Sequence, residues 1–268
     1  MNPYSGCLFN CLYCYIRGSK YGTNMAKTLS VKINAPEILE KELQKRAEKK
    51  EFGIITLSSS TDPYQPIEKE LKITRKLLKV ILKYKFPLEI ATKSTLVLRD
   101  FDVLREIDKQ AILPDELSKI DHGVIITCSI STLDEKLARI LEPGAPSPRE
   151  RMETIKKCKQ KGFFVGINYI PVLPFISESD KQIEIMVKTA KDYGADFVFI
   201  GALTLFGKDP ADCKTLYYEF LRKYYPELIQ KYKSLYRIFF APPKDYQKSL
   251  KEKAKVFCKK YSIAYGLL

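Results

Sequence analysis

The feature that most constrains this chain is an alternation. Short apolar runs rich in β-branched residues take turns with segments of helical periodicity from about residue 34 to residue 203. The runs at Phe52–Leu57, Leu88–Ala91, Gly123–Ile130, Phe163–Ile170 and Phe197–Leu203 have the length and composition of buried parallel strands. Between them the spacing predicts helices. Asn34-Ala35-Pro36-Glu37 reads as an N-cap, a first-turn proline and a capping-box glutamate, ahead of a helix burying Ile38, Leu39, Leu43 and Ala47. Further helices are predicted over about Glu68–Tyr84, Asp100–Lys109, Leu133–Leu141, Arg149–Lys161 and Ser179–Tyr193, the last burying Ile183, Met186, Val187 and Ala190. Residues 110–121 read as a loop insertion, and Glu142-Pro143-Gly144-Ala145-Pro146-Ser147-Pro148 as a stiff loop that cannot be helical.

Strands alternating with helices imply an α/β fold with a parallel sheet, five strands being clear and the glycine-dotted opening supplying a sixth if it is a strand. Such a sheet either curls into a barrel or stays open and doubly wound. No Gly-x-Gly-x-x-Gly follows any strand, which argues against a dinucleotide fold. A full or partial barrel carries its chemistry at the C-terminal ends of its strands. Polar residues gather at those places: Ser58-Ser59-Ser60, Thr92-Lys93-Ser94, Ser129 with Ser131, and Asn168. Period-two alternation puts Ser129 and Ser131 on one strand face and turns Cys128 toward the helices.

The 268 residues are 45% apolar, enough for a full core without metal or disulfide support. No apolar run reaches bilayer length and no signal peptide opens the chain, so the expectation is a cytoplasmic protein, a monomer, with its seven cysteines reduced. A single histidine, His122, removes most Cys/His zinc sites and most imidazole acid–base chemistry. The net charge of +14 is uneven: residues 214–261 carry 13 Lys/Arg against 4 Asp/Glu, together with 12 of the 31 aromatic residues. That shift divides the chain into residues 1–205 and a basic, aromatic-rich, mainly helical segment, 206–268, which ends with Tyr246, Leu250, Ala254, Phe257 and Tyr261 at helical spacing. Its tyrosines, among them Tyr217, Tyr218, Tyr224, Tyr225, Tyr232 and Tyr236, leave two readings open. They stack nucleobases beside phosphate-tracking lysines, or they pack a helical cover onto the barrel while the lysines stay solvated.

Cys7-x3-Cys11-x2-Cys14 is the chemically informative motif. Two close spacings on a tight loop let three thiolates converge on one inorganic centre, and no fourth cysteine lies nearby. Three thiolates on a four-iron cluster leave one iron open for chemistry; a zinc site completed by a remote ligand, or three unrelated thiols, are the alternatives. Cys158, Cys213 and Cys258 stand isolated on helical segments and read as core residues.

The stretch Asn2-Pro3-Tyr4-Ser5-Gly6-Cys7-Leu8-Phe9-Asn10-Cys11-Leu12-Tyr13-Cys14-Tyr15 resembles the opening motif of radical S-adenosylmethionine (SAM) enzymes, in the branch related to spore photoproduct lyase (DNA repair photolyase-like). The resemblance continues through Ser60-Thr61-Asp62-Pro63-Tyr64-Gln65-Pro66-Ile67-Glu68, Thr92-Lys93-Ser94, Ser129-Ile130-Ser131-Thr132 and Glu142-Pro143-Gly144-Ala145-Pro146 with Arg149 to Arg151, covering most of residues 2–205. It implies a partial (β/α)6 TIM-like barrel with a helical C-terminal extension. It further implies a [4Fe–4S] cluster on Cys7, Cys11 and Cys14, and SAM chelated to the fourth iron. A flavodoxin- or ferredoxin-like donor would reduce the cluster, and SAM cleavage would give a 5′-deoxyadenosyl radical that takes hydrogen from substrate. By the same resemblance Tyr13 lies against adenine, Ser58, Ser59 and Ser60 receive the methionine amino group, and Lys93 meets the SAM carboxylate. Ser129, Ser131 and Asn168 complete the cofactor contacts. Spore photoproduct lyase uses a cysteine hydrogen donor that aligns with Ser59 here, so the thiol-dependent repair of thymine lesions is not expected. A non-catalytic metal protein that binds nucleic acid through its basic C-terminal face is the reading from a different class, and a radical enzyme acting on nucleic acid combines the two.

Overall fold

The computed structural model describes residues 1–19, 22 and 28–267. Strand β1 (Tyr4–Ser5) pairs antiparallel with β2 (Ser30–Val31), apart from the main sheet. Helix α1 (Ala35–Glu48) precedes β3 (Ile55–Leu57), and α2 (Glu68–Leu71) with α3 (Ile73–Lys83) precedes β4 (Leu88–Thr92). Helix α4 (Phe101–Gln110) leads to β5 (Val124–Ser129), α5 (Glu135–Leu141) and α6 (Pro148–Gln160) to β6 (Phe164–Val172), and α7 (Asp180–Asp192) to β7 (Phe197–Ala202). The chain ends with α8 (Cys213–Tyr224), α9 (Ile229–Leu235), α10 (Lys244–Lys260) and β8 (Ala264–Tyr265).

Strands β3 to β8 form one parallel six-stranded sheet in sequential order. A doubly wound sheet reverses its order at a switch point; this one does not, so its crossovers all advance the same way. The result is an open, partial barrel, α/β as the sequence predicts. Its β3 edge is capped by the first residue, whose amine donates to the Thr56 carbonyl (3.1 Å) while the Ser58 N–H donates to the Met1 carbonyl (2.7 Å).

The sixth strand does not come from the opening. It is β8, where Ala264 and Tyr265 pair with Phe197 and Val198 at the far edge of the sheet. The C-terminal segment is helical as expected, but its last residues return to the sheet. Two residues carry too little periodicity to be visible as a strand before the neighbouring strand is in place.

Other local departures have plain causes. The predicted Glu68–Tyr84 helix is broken at Lys72, which takes a left-handed conformation (φ 53°). Asn34 precedes α1 but its side chain makes no capping bond, and Ile38 points to solvent at 54% exposure. The helix turns Ala35, Leu39 and Leu43 inward, and i, i+4, i+8 leaves no room on that stripe for position 38.

Strand alternation decides what faces the barrel interior. On β4, Leu88 and Ile90 are buried in the core cluster that joins sheet to helices, leaving Glu89 and Ala91 on the inward face. Cys128 and Cys158 belong to that core, as does Cys258. A separate apolar cluster fills the lower barrel: Leu117, Ile125 and Phe197, with Ile54, Leu113, Ile120 and Phe164 against them. Residues 110–121, expected as an inserted loop, thus furnish the plug of the barrel floor. Gly166 is part of the same arrangement, since a Cβ there would lie 2.3 Å from the Phe197 ring.

Candidate active site

Above that floor the strand ends surround a cavity of about 280 Å³. Cys7, Cys11 and Cys14 line it from the N-terminal loop, with Tyr13 among them. From β3 come Ser58, Ser59 and Ser60, from β4 Lys93, from β5 Ser129, and from β6 Asn168. The structure therefore brings together on one cavity ten of the eleven residues singled out from the sequence.

Ser131 is the exception and is a correction. It does not line the cavity; its hydroxyl, 1% exposed with its residue, donates to Glu142 Oε1 at 2.8 Å. Strand β5 ends at Ser129, so the period-two rule that paired the two serines no longer governs position 131.

The three thiols sit in a wall with little access to water. Burial raises all three pKa values, that of Cys7 to about 11 and that of Cys11 furthest, with Lys93 opposing the shift at Cys11 and Cys14. A cysteine nucleophile needs the opposite shift, whereas a ligand loses its proton to the metal as it binds. Among the described residues no group of three His, Cys, Asp or Glu side chains is gathered tightly enough to chelate one metal ion. Three thiolates from one loop can each take a separate metal atom of a cluster.

The same cavity also carries polar groups with nothing in the protein to satisfy them. Ser58 Oγ and Thr61 Oγ1 are buried, line the cavity and have no hydrogen-bond partner. Ser58 is also held at φ 64°, a strained conformation for a residue with a side chain. Buried orphaned hydroxyls cost free energy, and a ligand that bonds them recovers it. The Lys93 ammonium stands 5.9 Å from the centre of the Tyr13 ring and has no ion-pair partner among the described residues. A half-buried unpaired ammonium is a receptor for an anion.

Asp62, unassigned from the sequence, organises this part of the cavity. Its carboxylate accepts from the Tyr64 N–H (2.8 Å), the Thr92 hydroxyl (2.7 Å) and the Lys93 N–H (2.7 Å), tying the end of β3 to the end of β4. Burial raises its pKa against the pull of those three donors. Gln65 joins the same loop to the cysteine loop, accepting from the Leu8 N–H (2.8 Å) and donating to the Gly6 carbonyl (3.1 Å). An acidic residue directly after a run of strand-end hydroxyls was the available signal for Asp62.

The C-terminal segment resolves one of its two readings. Tyr217, Tyr218, Tyr232 and Tyr236 are buried, and they pack against Phe9, Cys11 and Tyr13 in a second core cluster. Tyr217 and Tyr232 join hydroxyls at 2.9 Å, Tyr232 donates to the Pro174 carbonyl (2.6 Å) and Tyr236 to the Leu203 carbonyl (2.8 Å). These four rings are committed to packing, whereas Tyr224 is 42% exposed. Cys213 lies in this layer, accepting from the Phe206 N–H at 3.0 Å. No helix among the described residues is long and apolar enough to cross a membrane.

Comparison with known proteins agrees with this geometry. An uncharacterised protein of Mycobacterium tuberculosis is 27% identical over 270 aligned positions, spanning 98% of this chain and 74% of the relative. An uncharacterised protein of Acidianus two-tailed virus is 31% identical over 205 positions, 72% of this chain and 63% of the relative. Among solved structures, a point variant of spore photoproduct lyase superposes with a TM-score of 0.65 at 15% identity, over 97% of this chain and 73% of that one. Streptococcus suis SuiB bound to S-adenosylmethionine gives a TM-score of 0.53 at 17% identity, over 86% of this chain and 47% of that one. Residues 1–188 match the model of the radical SAM superfamily. With the cysteine loop, the partial barrel and the strand-end cavity, this match makes the chain a member of the radical SAM superfamily, enzymes that use a [4Fe–4S] cluster and S-adenosylmethionine.

Proposed function

We propose that Cys7, Cys11 and Cys14 hold the cluster and that the cavity beside them takes SAM. The observation that carries this reading is that three thiols, two orphaned hydroxyls and an ammonium with no ion pair share the lining of one cavity. Lys93 receives the SAM carboxylate; Ser58, Thr61 and their neighbours Ser59 and Ser60 receive its amino group; Tyr13 supports the adenine; Ser129 and Asn168 bound the far side. When bound and reduced, the cluster would supply the electron for reductive cleavage of SAM, the chemistry by which such enzymes take hydrogen from a substrate. The protein's part is to orient the cofactor and exclude water from the reacting atoms.

Ser59 lines the cavity where the spore photoproduct lyase alignment places a thiol donor. An O–H bond is too strong to give up a hydrogen atom readily, so the reading here is a radical SAM enzyme other than a cysteine-dependent lyase. Electrons come from a flavodoxin- or ferredoxin-like protein. The basic segment makes nucleic acid the first substrate class to try, although its buried tyrosines lend that choice no support.

Anaerobically reconstituted protein is expected to bind about four irons and, with dithionite, to convert SAM to 5′-deoxyadenosine. Cys7→Ala, Cys11→Ala and Cys14→Ala should each abolish that turnover. Iron-free protein that retains zinc tightly would end the proposal. Faster turnover on adding DNA or RNA would identify the substrate class, and an unchanged rate would argue against it.

A further inference from the structure

The proline-rich turn after α5 has no role in the reading above, yet it makes the most completely buried ion pair among the described residues. Glu142 and Arg151 have side chains 0% and 1% exposed and are joined through Glu142 Oε2 and Arg151 Nη2. Each also reaches outward. Glu142 Oε1 accepts from the Tyr13 hydroxyl, in the middle of the cysteine loop, and from Ser131. Arg151 donates to the Ser129 carbonyl (2.8 Å), at the cavity, and to the Pro146 carbonyl (2.8 Å), across the turn.

Backbone contacts run in parallel. The Leu12 N–H donates to the Leu141 carbonyl (2.9 Å) and the Gly144 N–H to the Phe9 carbonyl (3.1 Å). Gly144 is required for that approach, because a Cβ there would stand 2.2 Å from the Leu8 carbonyl oxygen. The turn and the end of α5 therefore grip the loop at residues 8, 9, 12 and 13, between one cysteine and the next.

A buried ion pair contributes little net stability over a well-packed apolar pair, so stability does not explain it. What it supplies is direction: one carboxylate, fixed by Arg151 to the end of β5, sets where the Tyr13 phenol points. We propose that Glu142 and Arg151 are positioning residues forming a latch that holds the cysteine loop and Tyr13 in their ligand-ready arrangement before cluster or SAM arrives. This rests on the functional reading for what is held, but not for the holding, which is a property of the iron-free chain.

The test uses Tyr13→Phe, Glu142→Gln and the double variant. In iron-free protein, hydrogen exchange over residues 8–18 should accelerate about tenfold in each variant, with peptides from β4 unchanged. After anaerobic reconstitution, the SAM dissociation constant should rise about tenfold in each single variant and no further in the double, since both cut the same link. Turnover at saturating SAM should fall far less than affinity. A role confined to folding would lower the melting temperature with loop exchange and SAM affinity unmoved, and would overturn the latch. So would effects that multiply in the double variant. Should Glu142→Gln fail to fold, Tyr13→Phe alone decides through the exchange rates. Wild-type protein that takes up no iron would sink the functional reading while leaving the exchange measurement to judge the latch.

Discussion

The two ends of the barrel are built on opposite principles. At the floor, Leu117, Ile125 and Phe197 close a small apolar cluster in which nothing polar needs a partner. At the mouth, two hydroxyls lack partners, an ammonium makes no ion pair among the described residues, a serine is held at positive φ, and three thiols line one cavity. The floor contributes folding free energy and the mouth consumes some of it. At the mouth, strain and unsatisfied polarity lie where a ligand can relieve them, which is how a stable scaffold carries a poised site.

Three substitutions probe that contrast, beginning with the floor. Leu117→Ala removes a buried plug residue and should destabilise the iron-free protein by about 3 kcal/mol, read by denaturant unfolding. SAM affinity should stay as it was; a matching loss would show that floor and mouth are not separate.

At the mouth, Lys93→Met keeps the length of the side chain and removes its charge. The expected outcome is a weakening of SAM binding by about tenfold, roughly 1.4 kcal/mol, in isothermal titration of reconstituted protein. Folding stability should change little, since the buried Asp62 carboxylate keeps its three hydrogen-bond donors when the charge is removed. Unaltered affinity would take Lys93 out of the site.

Ser58→Gly gives the smallest effect and the most diagnostic sign. Glycine accepts φ 64° without strain and brings no buried hydroxyl, so the iron-free protein should gain about 1 kcal/mol while SAM binding weakens. Loss of stability would mean that Ser58 is a structural residue after all.

Much of the fold was legible because it is written in local periodicity. Ser147 with Glu150 and Ser179 with Gln182 make the capping boxes that start α6 and α7, and Ile183, Met186, Val187 and Ala190 bury as their spacing required. Most strand-end polar residues reached the cavity because a parallel strand delivers its C-terminal residues to one end of the sheet. Elsewhere periodicity was silent or misleading. Strand β8 is too short to read, residues 110–121 lack any pattern until the barrel floor they fill exists, and Ser131 lies two residues past the strand whose alternation placed it.

By itself, the sequence determined the α/β class, the parallel sheet and a three-thiol loop, since each depends on contacts or spacings a few residues apart. Only the tertiary structure decided that the sheet winds as an open barrel closed at its far edge by the last residues. It also decided that Asp62 binds two strand ends together, and that Glu142 reaches back 129 residues to hold Tyr13. Those outcomes depend on which distant side chains share a buried, low-dielectric space, and no local pattern records that.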